Sequence, residues 1–251
     1  MKKTKKYLSY IITIVCVCTL CFSAYKIFTY YQGTYNLMKQ NSELESLIKE
    51  PEEVSNIRKM SFSQKYEELL ERNSDMVAWI KVENTKINYP VMLTPNDGEF
   101  YLRRNFDKEY EFRGTLFFNP TADFYSNNMI VYGHNMDDGT MFGALRKYTN
   151  ESYYNEHRYI ELETKWGNRK YEIAYVFKTV DVLDHPMYVN YYDFIDSTEE
   201  EFKTQIESYQ GLSLYTTGVK AEYGDKLLTL STCEYSHENG RLVIVAKMIE
   251  E

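Results

Sequence analysis

The sequence predicts a mainly β body, a closed or nearly closed barrel or sandwich with two helical insertions, carried on a membrane helix and a helical stalk. Three observations predict it. A charge-free apolar run stands near the N-terminus behind a cluster of lysines. A polar stretch of helical pattern follows. From Met76 onward, short runs rich in β-branched and aromatic residues alternate with turn signals.

Met1 to Lys6 holds four lysines, and Tyr7 to Tyr25 then runs 19 positions without a charge, "YLSYIITIVCVCTLCFSAY". As a helix that run spans about 28 Å, one hydrocarbon core. It is long for a signal peptide and shows no small-x-small cleavage site, which favours an uncleaved anchor. The basic flank should stay on the cytoplasmic side and the rest of the chain outside. The expected organisation is a tail over 1–6, an anchor over 7–29, a stalk over 30–75 and a β-domain over 76–251. In the stalk, Leu37, Leu44, Leu47 and Ile48 share one helical face. Pro51 with Glu52 and Glu53 breaks that helix and suits the start of another. Tyr66, Leu69, Leu70 and Asn73 mark a second short amphipathic stretch.

Eight runs then read as strands: "MVAWIKV", "INYPVML", "GTLFFN", "NMIVYGH", "YIELET", "RKYEIAYVFKTV", "KLLTLSTC" and "RLVIVAKMI". Turn signals such as "NDG", "DDG", "WGN" and "ENG" separate several of them. The helical insertions are "TMFGALRKY" (140–148) and "STEEEFKTQIESYQ" (197–210).

Of 29 basic residues, five lie within the first 26, where there is no acid; the remainder sets 24 bases against 37 acids, a net of −13. A body that acidic, with no basic patch, excludes nucleic acid as a partner. The 25 tyrosines suit strands, and also surfaces that touch extended polypeptide or sugar. Three of the four cysteines fall in the apolar run, where they act as small apolar residues. Cys233 is left outside with no disulfide partner, as either an inert buried thiol or a reactive one.

Two features favour reactivity. Cys233 ends one strand and Arg241 opens the next, across seven residues closing in Asn239-Gly240. If those strands pair antiparallel, thiol and guanidinium lie at the same end of the sheet, where the cation favours thiolate and can hold an oxyanion. A base is needed. Of four histidines, His157 sits in a polar surface stretch, His185 precedes Pro186, and His237 lies in the loop after Cys233. His134 ends the apolar strand "NMIVYGH", a placement that matches that of Cys233. No acid marks itself as a third member. A phosphate-binding Cys-Arg loop needs five intervening residues, a papain-like peptidase puts Cys before His, and clustered metal ligands and phosphate loops are absent, so no metal or cofactor is expected. The competing class is a non-enzymatic, membrane-tethered β-domain that binds a surface ligand; Cys233→Ala discriminates the two.

"TLSTC", followed by an Arg opening a strand, with "YGHN" about a hundred residues upstream, resembles the sortases. "WIKVENTKINYPVM", "YLRRNFD", "GTLFFN", "IVYGHNMDDGTMFGAL" and the helix-bearing insertion before the last two strands are similar to class B members over roughly 76–250. The resemblance implies an eight-stranded barrel with flanking helices. It implies Cys233 as nucleophile, His134 as general acid/base and Arg241 as stabiliser of the oxyanion and substrate, with the Glu234 N–H as second donor. Ser231 and Thr232 would face the substrate groove. The insertion at 181–210 would shape recognition, with Tyr188 and Val189 there and Leu102 on the opposite wall. Class B sequences often carry an acid shortly after the Cys; Glu234 fits, whereas the next position is Tyr235. The implied reaction cleaves a C-terminal sorting signal, Asn-Pro-x-Thr-like, after Thr through a thioacyl-enzyme and transfers the protein to an amine of a cell-wall precursor. A pilus-assembling sortase is the alternative within the family, but no lid segment is seen upstream of the barrel.

Overall fold

A computed structural model describes residues 2–49, 60–121 and 123–250. The chain forms two units, Met1–Ser46 and Leu47–Glu251. The first is one helix, α1 (Lys2–Ser46). It takes in the basic flank, the apolar run and the first part of the expected stalk without a break. Its most apolar 18-residue window has no buried residue, and the helix is long and apolar enough to cross a membrane. The expected break at Pro51, Glu52 and Glu53 lies outside the described residues.

The second unit begins with two short helices, α2 (Phe62–Lys65) and α3 (Glu67–Arg72). Ser61 and Gln64 form a reciprocal capping box at the start of α2. The amphipathic pattern at Tyr66 and Leu69 is used against the barrel. Tyr66 stacks on Trp79, 5.8 Å between centroids, and Lys65 and the Tyr66 hydroxyl both reach the Glu163 carboxylate. Leu69 is fully buried. Asn73, also buried, donates to the Tyr101 hydroxyl and the Phe106 carbonyl.

Eight strands follow: β1 (Met76–Lys81), β2 (Asn88–Met92), β3 (Leu116–Phe118), β4 (Asn128–Tyr132), β5 (Tyr159–Thr164), β6 (Gly167–Val180), β7 (Leu227–Glu234) and β8 (Gly240–Glu250). Each predicted run coincides with one of them to within about two residues at either end. They close into a barrel in the order β1-β2-β3-β4-β7-β8-β6-β5, sealed by antiparallel pairing of β1 with β5. Two neighbouring pairs, β2–β3 and β4–β7, are parallel. Parallel neighbours need long crossovers, and the two helical insertions lie in the crossover between β4 and β7. The first is a 3-10 helix (Phe142–Thr149), extended by α4 (Glu151–Glu156). The second is α5 (Glu199–Leu212), which starts on a Thr198–Glu201 capping box. Phe202, Ile206 and Tyr209, spaced as one helical face, bury against Ala174, Tyr175 and Phe177 of β6.

Candidate active site

Three strands end side by side at one rim of the barrel. β7 and β8 pair antiparallel, and Cys233 and Arg241 are direct register partners. The expectation that they share one end of the sheet is met at the backbone. The turn between them is short because Asn239 adopts a left-handed conformation (φ 56°) and Gly240 lies so close to Glu234 that a Cβ would come within 2.5 Å of its carbonyl oxygen.

β4 runs parallel to β7, with Tyr132 opposite Ser231. Two strands ending in step bring the residues just beyond Tyr132 level with Cys233. The Gly133 N–H donates to the Ser231 carbonyl at 3.2 Å, and the Thr232 hydroxyl donates to the Gly133 carbonyl at 2.7 Å. Gly133 itself is required, since a Cβ there would sit 2.3 Å from the Leu116 side chain. His134 then leaves the ladder, and Phe142 N–H closes the following loop onto its carbonyl at 3.0 Å.

The His134 ring is half-buried, and its Nε2 lies 2.8 Å from the Leu102 carbonyl oxygen. A carbonyl only accepts, so Nε2 carries the proton and Nδ1 of the neutral ring keeps its lone pair. Burial lowers the imidazole pKa below the ordinary histidine value; the Leu102 bond pulls it back up, and the Arg103 charge lowers it further. The neutral imidazole is therefore favoured. Arg241 donates to the Gly240 carbonyl at 3.0 Å and faces the Asp181 carboxylate at 3.9 Å.

Cys233, His134 and Arg241 open onto a cleft of about 1040 Å³. Its floor is aromatic and polar, with Phe117, Tyr132 and Tyr191 beside Ser231 and Thr232. Tyr191 OH and Ser231 Oγ are 2.7 Å apart. Burial raises the pKa of Tyr191, as it does that of Tyr132, so both are neutral phenols that can donate. A half-buried unpaired thiol, a ring of fixed tautomer and a guanidinium around a peptide-sized cleft are the parts of acyl transfer by a cysteine. Among the described residues, no cluster of three potential metal ligands exists.

The sortase-domain pattern matches residues 80–249. The chain belongs to the sortase family. Sortase B of Listeria monocytogenes is 30% identical over 98% of this chain and 99% of its own length. The solved sortase B of Bacillus anthracis in complex with AAEK1 superposes with a TM-score of 0.74 at 28% identity, covering 88% of this chain and 100% of that one. The Staphylococcus aureus sortase B–substrate complex gives 0.73 at 29%, covering 88% and 97%. These relatives place the enzyme in class B, and the barrel is the sortase barrel.

Within this sortase, the residues singled out from the sequence fall into two groups. Cys233, His134, Arg241, Ser231, Thr232 and Leu102 all line the one cleft. Tyr188, Val189 and Glu234 do not. The Tyr188 hydroxyl lies 3.0 Å from that of Tyr192, and the Val189 N–H is taken by Thr179. The Glu234 carboxylate turns away to Lys178 at 2.8 Å and to Ser236. From the same insertion it is Tyr191 and Tyr192 that reach the cleft, with Asp181 and Asp193. The run "YVNYYDF" offered five aromatic or apolar choices, and no periodicity marks which of them turn inward.

Proposed function

We propose that this sortase cleaves a C-terminal sorting signal after Thr and transfers the upstream protein to an amine of a cell-wall precursor. The observation that carries the proposal is the alignment of three strand ends. Cys233 is registered against Arg241, and parallel β4 delivers His134 to the same rim, above a cleft of about 1040 Å³.

In the first half-reaction Cys233 gives its thiol proton to Nδ1 of the neutral His134 ring, and the Sγ attacks the Thr carbonyl carbon. The C–S bond forms, and Arg241 holds the oxyanion. The C–N bond then breaks, and the amine leaves with a proton from His134. In the second, the precursor amine attacks the thioester, gives up a proton to His134 and expels the thiolate. Ser231, Thr232 and the aromatic floor line the path of the signal. The S. aureus relative solved with its substrate supports a sorting signal as occupant, and the class supports one of Asn-Pro-x-Thr type. The apolar stretch of α1 is read as a single-pass anchor with the lysines inside and the barrel outside. Tethering holds the enzyme beside a membrane-borne signal and a lipid-linked amine and raises their effective concentration.

Intact-mass spectrometry with a panel of signal peptides tests this. The expected result is an acyl adduct on Cys233 that hydroxylamine releases. No adduct from any peptide, in a protein whose Cys233 still alkylates, overturns the acyl-enzyme step for those signals.

A further inference from the structure

We propose that Asn135, the residue after His134, is a positioning residue for the thiol–imidazole pair, acting by clamping the Cys233 carbonyl to the histidine turn. The proposal rests on the reading of Cys233 and His134 as the reacting pair.

The need for a clamp follows from the ladder. In the parallel β4–β7 pair the last backbone bond runs from Gly133 N–H to Ser231 carbonyl. Peptide groups alternate sides along a strand, so two residues later the Cys233 carbonyl also points toward β4. By then β4 has ended at Tyr132, because His134 has turned out toward Leu102. The carbonyl of the nucleophile's own residue would be left without a partner at the point where the geometry matters most.

Asn135 supplies that partner. Its Nδ2 donates to the Cys233 carbonyl at 2.7 Å, and the residue is 6% exposed. Asn135 is also tied to Met141 by a lone bridge that closes the loop, with Met141 held at φ 49°. The clamp therefore runs from a constrained loop to the Cys233 backbone. Thr232, one residue back, makes the reciprocal contact to Gly133. Side chains thus extend the β4–β7 pairing past the point where the backbone abandons it, and the spacing of the two reacting side chains is set by that extension. The Asn135 Oδ1 is buried with no hydrogen-bond partner among the described residues.

The test compares Asn135→Ala and Asn135→Asp with the wild-type enzyme. Aspartate keeps the volume but, ionised, cannot donate. Both variants should lose about 100-fold in kcat, the scale of a misplacement near 1 Å, with KM for the signal peptide within about twofold, as expected when ground-state binding is untouched. A second readout does not depend on turnover. Alkylation of the wild-type Cys233 should show an inflection in its pH profile that disappears in His134→Ala, and Asn135→Ala should lose the same inflection while remaining folded. An Asn135→Asp enzyme with wild-type kcat, or an Asn135→Ala alkylation profile superimposable on wild type, overturns the proposal. Transfer activity persisting in Cys233→Ala would instead overturn the reading on which it rests.

Discussion

The two walls of the cleft are built in different ways. One is made of strand ends, β4, β7 and β8, whose positions are fixed by ladders running down the barrel. It carries the thiol, the guanidinium and the imidazole turn. The other is made of the segment after Val180, which has no regular element until α5 begins at Glu199. That wall is held by side chains bonding to its backbone. Thr179 Oγ1 donates to the Met187 carbonyl at 2.6 Å and accepts from Val189 N–H at 3.1 Å. Asn119 donates to the Tyr192 carbonyl, Asn128 to that of Phe194 and Gln205 to that of Asn190. Chemistry sits where ångström-scale placement is inherited from the sheet. In the proposed reading, recognition falls to the wall that a few substitutions can re-aim without disturbing the chemistry.

The separation can be broken most sharply on the strand wall. Cys233→Ala should reduce acyl transfer by about 10⁴-fold or more while leaving the thermal midpoint in place; a stability loss large enough to explain the inactivity would show that the two properties are not separable there. Arg241→Lys keeps a positive charge on the same strand but loses the planar fork, and a fall of about 100-fold in kcat is expected. Wild-type turnover in that variant would remove Arg241 from the oxyanion's reach. On the loop wall the sign of the effect should differ. Thr179→Val leaves the Met187 carbonyl and the Val189 N–H without their partner, at a local cost of about 1–3 kcal/mol. KM should rise and the hydrogen-exchange protection of 187–192 should fall, with the rate of Cys233 alkylation unchanged. A slower alkylation in that variant would mean that the loop wall also sets the chemistry.

The smallest effect is a pH dependence. Burial, the largest influence on His134, disfavours its charged form. The folded chain therefore binds that proton less readily than the unfolded chain. The group's contribution to stability is complete above the ordinary histidine value and is lost as the pH falls below it. An NMR titration of the His134 ring should give a midpoint below that of a histidine peptide, and Arg103→Gln should move it upward. A midpoint at or above the peptide value would contradict the burial argument.

How much could be read from the sequence follows the same division. The eight strands were legible because alternating or continuous apolar runs bounded by turn residues state a half-buried or buried strand directly. The Cys233–Arg241 pairing was legible because a short loop between consecutive strands leaves one plausible topology. The parallel pairing of β4 with β7 was not, since nothing local to "NMIVYGH" names a partner across five intervening elements. Tyr191 and Tyr192 were missed in favour of Tyr188 and Val189 because an irregular segment has no period, and which side chains face inward is decided by bonds from distant residues such as Asn119 and Thr179. Asn135 was hidden for a related reason. An asparagine after a histidine looks like turn chemistry until the strand that it clamps is known.

The parallel β4–β7 pair also has a consequence in time. The contact from Thr232 to Gly133 spans 99 residues of chain, and β8, which supplies Arg241, is the last strand. Closing so long a loop is slow compared with forming hairpins. An emerging chain carries His134 far ahead of the thiol, and Arg241 follows on the strand after it. The nucleophile, its base and its guanidinium meet only once that long-range pairing has formed, so a chain that has not yet paired β4 with β7 holds the separate groups without the reactive centre that their meeting creates.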